Sequence, residues 1–330
     1  MRVDAIIVGA GAAGMMCAAV AARGGKRVVV TDHARKPGEK IRISGGGRCN
    51  FTNLHAAPDR FLGTDPTFWV SALRRYTQRD FIALVDRHRV PWHEKTLGQL
   101  FCDDSSRRII DLLVHELRDA GADLRLGTAV EAIEPQSDGF QIRLSNGTIH
   151  TAALVIATGG KSIPKMGASG FGYRIAEQFG LPVTDTRPAL VPFVFDPETR
   201  GRLASLSGVS VPARVSAGGT AFDEGLLFTH RGLSGPAVLQ ASSYWREGEP
   251  LTVGLMPDLD IAAWLKLRRS SDGAKQLATV LAEHLPKRLV GLLLERLGLS
   301  GKLAELSTKR LEPLAAMLSG WEHRPAGTEG

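Results

Sequence analysis

Apolar runs and polar breaks divide the chain into segments of distinct period. Residues 3–8 (Val-Asp-Ala-Ile-Ile-Val) form a short apolar run that predicts a buried strand. Residues 12–23 are small and mostly apolar, which predicts a helix able to pack closely on a sheet. The run Val28-Val29-Val30-Thr31 predicts a second strand. Strand, helix and strand joined by short links make a βαβ unit, so the sheet is expected to be parallel with a right-handed crossover. Helical spacing returns at 66–88 and 105–120, and strand-like runs at 122–134, 140–144 and 148–151. Ser145-Asn146-Gly147 is the expected hairpin turn between the last two. A further buried strand is expected at 154–157. The stretch 36–53 shows neither period and is expected to be a long, structured, functional loop.

The character changes near Arg187-Pro188. Short alternating runs such as Val209-Ser210-Val211 predict a small β subdomain over 187–257. Residues 258–320 then read as helices: Leu277, Val280, Leu281 and Leu285 share one face, and Leu289, Leu292, Leu293 and Leu297 another. Residues 321–330 are expected to be an unstructured tail. The fold class is α/β, with 1–186 as a Rossmann-like nucleotide-binding domain followed by the β and helical subdomains. A length of 330 residues agrees with more than one core.

Composition narrows the function. Hydrophobic residues at 43% and charged residues at 23% exclude a disordered chain. The 37 glycines cluster in doublets and triplets rather than in a Gly-X-Y repeat, which points to backbone-lined ligand loops. A net charge of +7 is compatible with an anionic cofactor or a polyanionic partner. Only Cys17, Cys49 and Cys102 are present, with no CxxC pair, which argues against a disulfide scaffold and against a metal site. The apolar stretch 5–22 resembles a secretory core, yet Asp4 precedes it and Gly9, Gly11 and Gly14 interrupt it. A cytoplasmic domain with no membrane association is expected. The oligomeric state is left open.

Three constellations carry chemistry. Gly9-Ala10-Gly11-Ala12-Ala13-Gly14 lies between a strand and a helix. Gly9 permits the tight turn, Gly11 lets backbone approach a pyrophosphate, and Gly14 lets helix and strand pack closely, while Ala12 and Ala13 open the helix whose free N–H groups face the phosphates. Asp32 ends the second strand, where a carboxylate accepts from ribose hydroxyls and repels a 2′-phosphate, so FAD or NAD is expected rather than NADP. The second is Ser44-Gly45-Gly46-Gly47-Arg48-Cys49-Asn50, a triplet of glycines followed by close-set donors that can form an anion nest. With Lys40, Arg42, Arg35 and Lys36, Arg48 completes a basic cluster expected to face phosphates. Cys49 is either a redox thiol or a small buried residue, and the absence of a resolving cysteine nearby favours the second. The third is the buried strand running into Thr158-Gly159-Gly160, whose glycines are expected beneath a cofactor.

These stretches, together with 227–236 (Leu-Phe-Thr-His-Arg-Gly-Leu-Ser-Gly-Pro), resemble the HI0933-like flavoproteins, FAD-binding oxidoreductases of the glutathione-reductase-like two-dinucleotide class. The resemblance covers residues 1 to about 320, and it implies that 1–186 are most of a two-dinucleotide FAD-binding domain into which the β and helical subdomains of 187–320 are inserted. It implies an FAD-dependent oxidoreductase with NAD(P)H or oxygen as redox partner. Its substrate would be a small amine or enone, or a uridine base of RNA, and the basic balance favours RNA modestly. The ring of the flavin is expected near Arg48, Cys49 and Asn50, because that loop follows the second strand and carries donors suited to a flavin's polar edge. His230 and Arg231 either act on the substrate or the flavin edge, or form a packing corner; both readings stay open. Nothing after Trp321 resembles the closing segment expected of the family, so a catalytically inactive nucleotide-binding remnant is the alternative.

Overall fold

The structure, a computed structural model, describes residues 1–330 and divides into two compact units, Met1–Thr184 and Asp185–Gly330. No helix is long and apolar enough to cross a membrane.

The first unit opens with β1 (Arg2–Val8), α1 (Ala12–Arg23) and β2 (Val28–Thr31), at the positions their periodicity predicts. The stretch expected as one long loop instead contains α2 (Glu39–Ile43), a left-handed glycine turn and β3 (Asn50–Asn53). Each piece spans five residues or fewer, too short for a period to show. Next come α3 (Val70–Arg75), α4 (Gln78–Arg87), β4 (Trp92–Glu94), β5 (Gln99–Cys102) and α5 (Arg107–Asp119). They are followed by β6 (Asp123–Arg125), β7 (Val130–Gln136), β8 (Gly139–Leu144), β9 (Gly147–Ile156) and α6 (Phe171–Gln178). The two strands expected at 148–151 and 154–157 are one continuous strand, β9, because Thr151 and Ala153 both pair with neighbours across the supposed break.

The main sheet has the order β6-β2-β1-β9-β8-β7. Its β6, β2, β1 and β9 are mutually parallel, with β8 and β7 antiparallel at one side. Alternation along each strand supplies both faces: Ile7, Val28 and Val30 join the core under α1 and α5, whereas Ile6 and Val29 join the opposite core. A second sheet, β3-β5-β4, lies apart from the first.

The second unit holds β10 (Phe193–Val194), α7 (Pro197–Leu203), β11 (Ser210–Ala217), β12 (Thr220–Phe228), β13 (Gly232–Ser234), α8 (Pro236–Ser242) and β14 (Leu251–Gly254). Four helices follow: α9 (Ile261–Ser271), α10 (Leu277–Leu281), α11 (Lys287–Leu297) and α12 (Thr308–Gly320). The β and helical parts expected as separate subdomains share one core. The leucine faces of α10 and α11 lie in the same buried cluster as Phe193, Val215 and Phe228 of the sheet.

The expected tail is also structured. β15 (Trp321–His323) pairs with β14 at one edge of the sheet, and β16 (Gly327–Thr328) pairs with β10 at the other. Trp321 and His323 are buried. The alternation Trp-Glu-His is only three residues long, and Pro325 and Gly327 mask it. The span from His323 to Gly327 reaches at most about 14 Å. In a flat sheet the two edges would stand about 29 Å apart. The seven-stranded antiparallel sheet, β15-β14-β11-β12-β13-β10-β16, is therefore curled until its edges approach.

Candidate functional site

The fingerprint loop is shaped by what a side chain would strike. Gly9 has φ +113°, and a Cβ there would lie 2.4 Å from the Ala157 carbonyl oxygen. A Cβ on Gly14 would lie 1.8 Å from the Gly9 oxygen. These two glycines are required by the protein's own packing. Gly11 differs, because its φ of −82° suits any residue and a Cβ there would meet nothing within 4 Å. Open space lies in front of Gly11, at the start of α1. No side chain caps that helix, and Ala12 and Ala13 are exposed, so its first N–H groups point outward unpaired.

Asp32 sits at the end of β2. Its Oδ2 accepts from the Ala10 N–H at 2.7 Å and its Oδ1 from the Ala34 N–H at 2.8 Å. The carboxylate therefore braces the fingerprint loop, while each oxygen keeps a lone pair to offer. It lines a cavity of about 310 Å³ with Gly9, Thr31, His33, Thr128 and Thr158. His33 and Thr128 escaped sequence reading. His33 directly follows Asp32. Thr128 is brought in because β6 pairs with β2, and its carbonyl accepts from the Thr31 hydroxyl at 2.9 Å.

The other two motifs converge on the same strand ends. The Gly38 N–H donates to the Ala10 oxygen at 2.9 Å, which ties the start of α2 to the fingerprint. Lys40 donates to the Gly160 oxygen at 3.1 Å and to the Ser162 hydroxyl at 2.9 Å, joining α2 to the third motif. A Cβ on Gly9 would lie 3.0 Å from the Thr158 nitrogen. Gly159 has φ +70°, and a Cβ on Gly160 would lie 3.3 Å from the Tyr173 hydroxyl.

In the second motif Gly45, Gly46 and Gly47 all have positive φ (57°, 67° and 87°). At Gly45 a Cβ would press Phe101 at 2.6 Å, whereas Gly46 and Gly47 look into open space. Ser44 turns inward, its hydroxyl donating to the Ile41 oxygen at 2.8 Å. The basic cluster divides. Lys40 is held as above, and Arg42 lies 3.9 Å from Glu39 and donates to the Pro37 oxygen. Arg35, Lys36 and Arg48 remain exposed. The Asn50 amide, in the orientation its surroundings require, donates to the Thr52 oxygen at 2.9 Å and the Leu100 oxygen at 3.2 Å.

Cys49 is buried, and burial pushes its thiol up, partly opposed by the neighbouring Ser44. The premise that it has no neighbouring cysteine is corrected by the fold. Cys102 lies on the adjacent strand and its N–H donates to the Cys49 oxygen at 3.4 Å. Burial pushes the Cys102 thiol up to about 12. Both are protonated near neutrality, unlike an activated thiolate.

His230 and Arg231 lie in the second unit, in the turn between β12 and β13. The Thr229 hydroxyl accepts from the N–H groups of Arg231 and Gly232, and the Arg231 guanidinium pairs with Glu329 at 3.1 Å. His230 is exposed.

Comparison with known proteins gives a consistent grouping. The sequence profile of the HI0933-like protein Rossmann domain matches residues 3–294. The chain is 50% identical to a ribosomal RNA dihydrouridine synthase of Escherichia coli, covering 100% of this chain and 83% of that protein. It is 44% identical to a ribosomal RNA dihydrouridine synthase of Haemophilus influenzae, over 98% and 82% of the two chains. It is 28% identical to a 3-dehydro-bile acid delta(4,6)-reductase of Clostridium scindens, over 88% and 74%.

Proposed function

The chain belongs to the HI0933-like family and is an FAD-dependent oxidoreductase, and from that premise we propose that it reduces a uridine base of ribosomal RNA to dihydrouridine. The observation that carries this reading is the 50% identity, over the whole chain, to a ribosomal RNA dihydrouridine synthase. The more distant bile-acid reductase acts, by its name, on double bonds of a 3-oxo steroid. Its chemistry is akin: the C5–C6 double bond of uracil is also conjugated to a carbonyl, and both reactions add a hydride and a proton across such a bond.

The site fits the cofactor on its own evidence. The open space before Gly11 is a cradle that any Cβ would narrow, and it lies against unpaired N–H groups at a helix start, where a pyrophosphate is stabilised. The cavity beside Asp32 offers the remaining carboxylate lone pairs to a ribose. On this reading Gly9–Gly14 would hold the pyrophosphate, and Asp32 the adenosine ribose. Thr158–Gly160 would support the cofactor from below, and Arg48 with the glycine triplet would meet the polar edge of its ring. Bound FAD supplies the hydride chemistry. We assign NAD(P)H as the electron donor, because saturating a double bond consumes two electrons that the chain itself does not hold.

The test is direct. Purified protein supplied with FAD and NAD(P)H is incubated with ribosomal RNA lacking dihydrouridine, and the nucleosides are analysed by mass spectrometry. Gain of two hydrogens on a uridine is the expected result. Flavin-loaded protein that leaves every uridine unreduced would overturn the reading.

A further inference from the structure

Part of the first unit presents large apolar side chains to water: Phe61 is 43% exposed, Leu62 54%, Phe68 82% and Tyr76 42%. Single exposed apolar residues are ordinary, but a cluster marks an interaction surface. Two of them, Phe61 and Tyr76, wall a cavity of about 510 Å³ together with Phe51 and Phe81, with Arg74 and Gln78 at its polar edge.

The aromatic walls are held in place. Phe51 packs against Phe81 with ring centroids 6.1 Å apart, and Trp92 meets Phe51 edge-on at 6.2 Å. Phe61 leans on Trp69 at 6.0 Å, and the Trp69 indole N–H donates to the Pro58 oxygen at 2.8 Å. Tyr76 is set by the start of α4, where Thr77 and Asp80 cap the helix reciprocally. Gln78 is anchored to the Leu54 oxygen at 3.0 Å.

Charge identifies the occupant. Arg74 lines this cavity and is exposed, and Arg75 and Arg79, which flank the lining residues Tyr76, Thr77 and Gln78 in the chain, are exposed as well. The ion pairs of the stretch are Arg60 with Asp59 at 3.5 Å and Arg87 with Glu116 at 3.4 Å, and the three arginines take part in neither. An apolar peptide or a second copy of the chain would use the Phe and Leu side chains but leave three adjacent guanidinium groups without partners. A single-stranded nucleic acid uses both: its unstacked bases lie on aromatic faces and its phosphates meet fixed positive charge. The cavity also adjoins the glycine-triplet motif through β3, which carries Asn50 at one end and the wall residues Phe51 and Thr52 next to it.

We propose that this aromatic cavity and its arginine rim form a capture platform for single-stranded RNA, an unstacked base seated against Phe61 and Tyr76 and its neighbouring phosphates on Arg74, Arg75 and Arg79. The proposal rests on the RNA reading given above and adds to it the surface that holds the strand.

Fluorescence anisotropy of a labelled single-stranded RNA oligonucleotide, titrated with the flavin-loaded full chain at several salt concentrations, tests it. Phe61→Ala and Tyr76→Ala should each weaken binding at least roughly five-fold. Tyr76→Phe, which keeps the stacking face, should bind within about two-fold of the parent. Replacing Arg74, Arg75 and Arg79 together by Ala should flatten the plot of log Kd against log salt by about 2, at about 0.7 for each lost phosphate contact. Flavin content should not change, and if an alanine variant melts early, Tyr76→Phe and the salt slope still decide. Parent protein that binds RNA and reduces its uridines while every variant binds equally well overturns the platform alone. Parent protein whose RNA binding depends on these residues, but which leaves uridines unreduced, supports the platform and overturns the uridine reading. Failure of the parent to bind RNA overturns both, and self-association abolished by Phe68→Ala would reassign the face to a second copy of the chain.

Discussion

The loop between β1 and α1 and the turn between β12 and β13 are both short, glycine-bearing connections rich in backbone polar groups, yet they treat those groups oppositely. In the turn, Thr229 gathers the N–H groups of Arg231 and Gly232, the Arg231 oxygen accepts from Phe195 at 3.0 Å, and the guanidinium is paired with Glu329. These groups are all taken up within the second unit. In the fingerprint loop, Asp32 braces the Ala10 N–H, but the first turn of α1 is uncapped and the space before Gly11 is empty of protein atoms. A connection that closes on itself is a corner of the fold, whereas one that leaves donors aimed at open space is built for something else. This contrast is what supports the proposal that the fingerprint loop, and not the turn, holds the cofactor.

The comparison breaks most severely at Gly14. Gly14→Ala forces a Cβ to 1.8 Å from the Gly9 oxygen, and the expected cost is about 3 kcal/mol or more. Thermal unfolding should show this loss, and flavin retention should fall with it. An unchanged melting curve would contradict the packing described.

Gly11→Val separates binding from folding. Its ordinary φ and empty surroundings predict stability within about 1 kcal/mol of the parent. Flavin, however, should be lost, because the added methyls fill the cradle. A yellow, stoichiometric Gly11→Val protein would remove the site from this loop.

The second unit also leaves a polar atom without a partner, at His323. This imidazole is buried, stacks on Phe195 at 5.4 Å, and its Nε2 has no hydrogen-bond partner. Burial, with the nearby Arg296 charge, lowers its pKa from 6.5 to about 4. The unfolded chain takes up the proton near pH 6.5 and the folded chain only near pH 4, so the unfolded state binds more protons in that window and stability rises with pH across it. The contribution is full above pH 6.5 and lost by about pH 4, and amounts to an order of 3 kcal/mol. Denaturant titrations of parent and His323→Phe from pH 7 to pH 4 should diverge by that slope. Parallel curves would show that His323 takes up its proton in the folded protein just as it does in the unfolded chain.

The smallest effect belongs to the turn. Arg231→Ala removes a half-exposed ion pair and should cost less than about 1 kcal/mol. His230→Ala should be milder still. Flavin content measured on both variants should equal that of the parent, and loss of flavin from either would end the contrast between corner and site.

What the sequence determined by itself is local: Ile6-Ile7-Val8, the three spaced glycines and the acid at Asp32 follow one another within a βαβ unit, where β1 and α1 are long enough for their pattern to be seen and the β-branched run Val28–Thr31 marks the short β2. Tertiary structure decided the rest. Only the pairing of β6 with β2 brings Thr128 to Asp32, and only the lie of α2 takes Lys40 to Gly160, partners 120 positions apart. Cys102 becomes the neighbour of Cys49 in the same way. The last ten residues show the limit most clearly. Trp321-Glu322-His323 is too short to declare a strand, and it is one because a curled sheet offers its edge to it, along with a core for Trp321 and His323. A strand of three residues has no intrinsic stability to advertise; its hydrogen bonds and its burial both belong to the partner.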